Sequence, residues 1–153
     1  MIEYIKGNLL SAEVEALVNA VNTVGVMGKG IALQFRETFP ENYKAYQKAC
    51  KQGKVQIGKM LVNDNGQFIN PRYIINFPTK RHWREPSRVE DIKAGLVDLQ
   101  SIIRAYEITS IAVPSLGCGN GGLDWKIVRP LIVNALNQFD AVKILIYEPV
   151  DAL

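Results

Sequence analysis

Gly25, Gly28 and Gly30 fall within six consecutive positions, with Lys29 between the last two. Glycines at this density let the backbone approach a ligand closely, and amides at the start of a following helix point toward negative charge. A phosphate-bearing small molecule suits such a loop. A second stretch, Ser115-Leu116-Gly117-Cys118-Gly119-Asn120-Gly121-Gly122-Leu123, has the same character. Two such loops at equivalent strand ends could clamp a diphosphate between main-chain amides without a metal. A nucleotide-hydrolysing P-loop is excluded, because Gly30 stands where that motif has its magnesium-holding hydroxyl and Gly25 is too close for its spacing. The order of the glycines is nearly the reverse of a dinucleotide-binding fingerprint, which excludes that reading too. For either loop alone the plain alternative is a turn that reverses the chain; the pair makes that the weaker explanation.

Basic residues gather in one further stretch, where Arg72, Lys80, Arg81, Arg84 and Arg88 surround His82 and Trp83. An aromatic in such surroundings either caps a cleft or stacks a nucleic-acid base, and the cations suit a phosphate backbone. A net charge of +3 permits contact with nucleic acid without requiring it. Cys50 and Cys118 are far apart and lack histidine or cysteine neighbours at metal-ligand spacing, so neither a zinc site nor a disulfide scaffold is indicated. No apolar run approaches the ~20 residues needed to cross a bilayer. The chain is expected to be soluble, cytoplasmic and monomeric, with no membrane partner.

The elements that must position these residues follow from periodicity. Strands are expected at 2–6, 16–20, 55–62, 73–77, 110–114 and 142–147. Helices are expected at 31–39 and 40–52, the second closed by Gly53; a long one ends near Ala105, with Ser87 and Glu90 as its capping box. A last helix begins at Asp124 as N-cap, with Pro130 separating a first turn from its body. Asn65-Gly66 is expected to be a hairpin turn returning the chain toward Phe68-Ile69, and residues 78–84 to lie outside the core. Strands alternating with helices imply a layered α/β fold, with antiparallel pairs contributed by the start of the chain and by the hairpin. A length of 153 residues, 48% of them hydrophobic, suffices for one domain and not for two ordinary ones.

Lys6-Gly7-Asn8-Leu9-Leu10, Leu17-Val18-Asn19-Ala20-Val21-Asn22, Gly28-Lys29-Gly30-Ile31-Ala32 and Pro114-Ser115-Leu116-Gly117-Cys118-Gly119 resemble, in order, the ADP-ribose-binding macrodomains. Residues 27–35, 76–83 and 119–125 resemble in particular the DarG antitoxin branch of that superfamily. The resemblance implies a macrodomain over 1–153, a three-layer α/β/α sandwich with a mixed central sheet. Because the antitoxins continue into a further domain, a longer parent protein is expected. The implied activity is a metal-independent hydrolase without cofactor that removes ADP-ribose from thymidine bases of single-stranded DNA, reversing a DarT-like toxin. Two alternatives stay open, a non-catalytic ADP-ribose reader and a hydrolase of ADP-ribosyl carboxylates on proteins.

Residue roles come from the same resemblance. Asn8 and Leu9 would meet the adenine, with Asn8 standing where an aspartate is usual, and Tyr147 would lie against the ring. Asn22 would meet the distal ribose, and Thr23 beside it would also belong to the ADP-ribose site. Gly28, Lys29, Gly30 and Ile31 would surround that ribose and its phosphate, and Ser115, Leu116, Gly117, Cys118, Gly119, Asn120 and Gly121 would form the second phosphate loop. Lys80 matches the catalytic lysine of this branch; crowding by Arg81 and Arg84 would lower its pKa and free it as a nucleophile. The bland reading of Lys80 is a solvated charge. Arg81, Trp83 and Arg84 would contact the DNA. Protein-directed relatives pair their lysine with an aspartate in the second loop, and Gly119-Asn120-Gly121 has no carboxylate, which favours a better leaving group such as a thymine ring nitrogen.

Overall fold

Alternation along the central strand decides the architecture. In Ala16–Asn22 (β2), Ala16 and Val18 enter one apolar cluster, while Leu17 and Val21 enter clusters on the opposite side. Both faces are therefore covered, as a central parallel strand requires. The computed structural model describes residues 1–149, so the last four positions of the expected 1–153 domain lie outside the described residues. The other strands are Ile2–Ile5 (β1), Leu61–Asp64 (β3), Tyr73–Lys80 (β4), Ser110–Val113 (β5) and Lys143–Tyr147 (β6), in the spatial order β1-β6-β5-β2-β4-β3. Helices Val89–Ala105 (α3) and Trp125–Leu136 (α4) cover one face through Ile92, Leu96, Leu99, Val128, Ile132 and Leu136. Gly30–Thr38 (α1) and Pro40–Lys51 (α2) cover the other through Phe35, Tyr46 and Ala49. The result is the expected three-layer α/β/α sandwich on a mixed sheet.

Several local expectations are corrected. β1 pairs in parallel with β6, Ile2 opposite Ile144, because residues 6–15 cross over to β2 instead of folding back as a hairpin. The one antiparallel pair among the described strands is β3 with β4. Residues 55–60 are irregular, since Gly58 adopts φ +84° and turns the chain, and the strand expected from 55 begins only at Leu61. Asn65-Gly66 does not return the chain at Phe68: the Asn65 amide bonds the Arg72 carbonyl at 2.6 Å, and Phe68, 95% exposed, stands on the intervening loop.

β4 continues to Lys80, so Pro78 and Thr79 are buried strand residues and not exposed loop. The last β3 pair is Leu61 opposite Asn76; beyond it β4 is flanked on one side only, which is where a residue without an N–H is tolerated. Ser87 does not cap α3. Arg88 holds the N-cap position without a side-chain bond, and the Ser87 amide is committed to the Gly121 carbonyl at 2.9 Å. Pro130 lies inside an unbroken α4 on its exposed side, where water can serve the carbonyl it leaves unpaired. Asp124 does cap α4, accepting from the Lys126 amide at 2.9 Å.

The tightest approach between layers is at Gly95 of α3, where a Cβ would overlap the buried ring of Phe77. Gly95→Ala gains up to about 1 kcal/mol of helix propensity but forces an overpacking that costs about 1–3 kcal/mol. A net destabilisation is expected, read as a lower Tm in thermal melts; an unchanged or higher Tm would contradict this packing.

Candidate active site

All five parallel strands end on the same edge of the sheet, and a cleft of about 830 Å³ opens there. Its walls are Asn8 and Leu9 after β1, Asn22 at the end of β2 and Gly28 to Ile31 after it, Lys80 at the end of β4, Ser115 and Gly117 to Gly121 after β5, and Tyr147 at the end of β6. This is the position in which open α/β sheets hold ligands.

The first loop is shaped by one buried side chain. Asn22 Oδ1 accepts from the Val24 and Val26 amides at 3.1 and 3.3 Å and from the Tyr46 hydroxyl at 2.8 Å, while its Nδ2 donates to the Val26 carbonyl at 2.8 Å. The Tyr46 hydroxyl also reaches the Asn22 carbonyl at 2.7 Å. Asn22 thus organises the loop, leaving one amide hydrogen for a ligand. Burial pushes the Tyr46 phenol up, and Cys50 beside it adds to the effect, so the hydroxyl remains a donor. Behind this pair, Asn42, Asn76 and Asn19 are bonded in a buried chain, with Asn76 Nδ2 donating to Asn42 Oδ1 at 2.9 Å and to the Leu61 carbonyl at 3.1 Å. Lys29, at the N-cap of α1, makes no side-chain cap bond, so the first-turn amides are not capped from that position.

The second loop is closed by its own backbone, the Leu123 amide bonding the Gly117 carbonyl at 3.0 Å. Gly117 is at φ +75°, and a side chain there would start 2.7 Å from Leu123. Asn120 brings its Nδ2 to 3.2 Å from the point where a Gly30 Cβ would stand, so the two loops nearly meet. The Cys118 thiol is pushed up to about 11, by burial first and Asp124 second; it is neutral at pH 7 and no nucleophile.

Lys80 lies on the cleft wall with Nζ 3.5 Å from the Trp83 carbonyl. Burial holds its amine below the ordinary lysine value, and the positive charge of Lys29, which lines the same cleft, acts in the same direction. The arginines expected to crowd it are engaged elsewhere. Arg81 forks onto the buried Asp91 at 3.2 and 3.3 Å, and the Arg84 guanidinium lies 4.5 Å over the ring of Trp83. Trp83 lines the cleft mouth at 42% exposed, with His82 stacked on it at 5.3 Å. Thr23 does not line the cleft; its hydroxyl donates to the Arg81 carbonyl at 2.6 Å, stitching the first loop to the Lys80 segment.

Of the residues expected at the site, Thr23, Leu116, Arg81 and Arg84 do not line the cleft. Leu116 is fully buried beneath its loop. Asn8 does line it, but its Oδ1 already accepts from the Leu10 amide at 3.0 Å. Among the cleft residues that sequence reasoning missed are Val26, Gln34, Thr79, Ser87 and Glu148. Gln34 was findable, one helical turn beyond Gly30; Thr79 and Ser87 were hidden by reading them as loop and cap.

Tyr46→Phe removes a buried donor that serves two acceptors on Asn22, at an expected cost of about 1–2 kcal/mol. Thermal melts should show a Tm lower by a few degrees, and amide exchange in residues 22–29 should quicken. Unchanged exchange there would show that the loop holds its shape without Tyr46.

The macro domain profile matches residues 18–132. The chain is 56% identical to a DNA ADP-ribosyl glycohydrolase of Thermus aquaticus, over 99% of this chain and 42% of that protein. It spans about two-fifths of the length of such curated relatives. The solved macrodomain of Mycobacterium tuberculosis DarG superposes with a TM-score of 0.95 at 58% identity, covering 97% of this chain and 98% of that one. Thermosipho africanus DarTG in complex with ADP-ribose superposes with a TM-score of 0.92 at 34% identity, covering 99% of this chain and 42% of that one. A fold whose glycine loops and strand-end lysine meet in one cleft, with identity at this level across nearly its whole length, makes this chain a member of the macro domain family, among the DarG macrodomains.

Proposed function

We propose that this domain binds ADP-ribose in the cleft and hydrolyses its bond to a thymidine base of single-stranded DNA, with Lys80 as the catalytic residue. The observation that carries the reading is Lys80 itself. An amine at the end of β4 lines the cleft and is biased toward its neutral form by burial and by Lys29. In this reading the pyrophosphate lies between amides of the two loops and the adenine against Tyr147. The distal ribose is then presented to Lys80.

The neutral amine attacks the anomeric carbon, forming a bond from C1 to Lys80 Nζ, and the thymine nitrogen departs with the bonding pair and takes the proton that the amine gives up. Water then adds to the lysyl adduct, releasing ADP-ribose and restoring the amine. A thymine ring nitrogen is a competent leaving group, in keeping with a second loop that has no carboxylate at Gly119-Asn120-Gly121. Trp83, backed by Arg84, offers a stacking surface at the mouth for a flanking base. Removing the modification would make the domain an antitoxin against a DarT-like transferase; a relative in which a DNA ADP-ribosyl transferase and a DNA ADP-ribosyl glycohydrolase are fused in one chain supports that pairing.

The test compares wild type and Lys80→Ala on a thymidine-ADP-ribosylated oligonucleotide, on a glutamate-modified protein and in ADP-ribose binding. Turnover of the DNA should fall by roughly 100-fold or more in the variant, while ADP-ribose affinity changes little. Retained turnover would remove Lys80 from catalysis, and binding without turnover of either substrate by wild type would make the domain a reader.

A pH dependence follows from the same chemistry. Because the neutral amine reacts, kcat/KM should rise with pH through the Lys80 pKa, with a midpoint below that of an ordinary lysine. Removing the positive neighbour in Lys29→Ala stabilises the charged form of Lys80, so the midpoint should move to higher pH. A midpoint that stays put or moves downward would show that Lys29 does not bias the amine.

A further inference from the structure

The positive charge of the chain is gathered in one stretch. Residues 41–59 hold five lysines and one glutamate, a net +4, while the whole chain carries +3, so the remaining residues sum to −1. Most of those lysines share one surface. Lys44, Lys48 and Lys51 recur at intervals of four and three along α2, and Lys54 follows just past its end. That interval puts three side chains on one helical face, opposite the buried face of Asn42, Tyr46 and Ala49, about 4.5–6 Å apart along the axis. All are exposed. Among the described residues only Lys44 has a carboxylate beside it, the exposed Glu41 at 3.4 Å. The helix dipole accounts for lysines in the last turn, Lys48 and Lys51, but not for Lys44 or Lys54.

The stripe adjoins the cleft. α2 ends against the first glycine loop, where the Tyr46 hydroxyl bonds Asn22 and Cys50 Cβ lies 3.5 Å from the point at which a Gly25 side chain would begin. On its other flank the same loop is stitched to the Lys80 segment through Thr23 and the Arg81 carbonyl. One loop therefore separates the lysines of α2 from the Lys80 amine, with Val24 and Val26 exposed upon it. The arginines expected to hold a phosphate backbone are committed elsewhere, Arg72 to Asp64, Arg81 to Asp91 and Arg84 to the face of Trp83. A polyanion leaving the cleft mouth over the first loop meets its unpaired cations on α2. We infer that the outward face of α2 is the track of the DNA strand, with Lys44, Lys48 and Lys51 binding phosphates to one side of the modified nucleotide. Such contacts position a strand without reading its sequence. The inference rests on the proposed reading of the cleft as acting on single-stranded DNA.

Fluorescence anisotropy with an unmodified, labelled single-stranded oligonucleotide tests it, on wild type and on a variant carrying Lys44→Gln, Lys48→Gln and Lys51→Gln. Loss of three phosphate contacts should weaken binding roughly tenfold or more and flatten the slope of log affinity against log salt by about 2. On a thymidine-ADP-ribosylated oligonucleotide the variant should show a raised KM with little change in kcat. A single ADP-ribosylated thymidine nucleotide, too short to reach α2, should show a far smaller effect. Wild-type protein that does not bind the strand, or a variant that keeps its affinity and slope, overturns the inference. So does an equal rise in KM on the single nucleotide, because the lysines would then act through the pocket. Equal weakening by Lys93→Gln, Lys126→Gln and Lys143→Gln together, exposed lysines of α3, α4 and β6, also overturns it, since net charge alone would explain the loss. Failure of wild type to turn over modified DNA would instead strike the proposed function; the anisotropy uses no modified DNA and still reads the track.

Discussion

The hydroxyl of Tyr46 on Asn22 is the contact on which the cleft depends. It bonds both the carbonyl and the side chain of that residue, at the point where β2 stops being a strand. From there Asn22 folds the following residues over itself, so the loop reaches α1 in a defined shape. The asparagines behind it tie β2, β4 and α2 together through buried bonds, with Asn19 Oδ1 the acceptor left without a partner. An apolar core at this position would be cheaper to desolvate, but it would not specify where the loop goes. The binding surface is thus largely backbone held in place from beneath by side chains.

Charge in the cleft is distributed economically. Of the basic residues in the cluster between Arg72 and Arg88, Arg72 is paired with Asp64, Arg81 with Asp91, and Arg84 lies on Trp83. Lys80 and Lys29 are the lysines that line the cleft. An anionic ligand would satisfy the two positive charges; in the empty cleft burial first, and repulsion from Lys29 second, favour loss of a proton from Lys80. The arginines stiffen the segment that carries Lys80, Arg81 by anchoring it to α3 and Arg84 by backing the tryptophan.

Features with a local physical cause were legible in the sequence. The glycine loops, the strand ends that carry them, the Pro40 start of α2 and the Asp124 cap each follow from what those residues do to their own backbone. Features decided by a distant partner were not. Pro78 and Thr79 lie in a strand because β2 pairs with β4 along that length, and nothing in residues 76–80 announces the pairing. Ser87 has the spacing of a cap, but a carbonyl in the second loop, far along the chain, claims its amide. The same holds for β1, whose direction is set by β6, the last strand. At the site, sequence reasoning found the cleft residues that contribute backbone and missed several that contribute side chains, because a side chain's aim is a tertiary property.

The proposed reaction needs a pyrophosphate held by amides of both loops while the Lys80 amine reaches the sugar beyond it. A crystal structure of the domain with ADP-ribose tests this most directly. The pyrophosphate is expected between residues 28–31 and 115–121, with Lys80 Nζ facing the anomeric carbon of the distal ribose. A nucleotide seated outside the cleft, or one lying reversed so that the adenine and not the distal ribose meets Lys80, would contradict it.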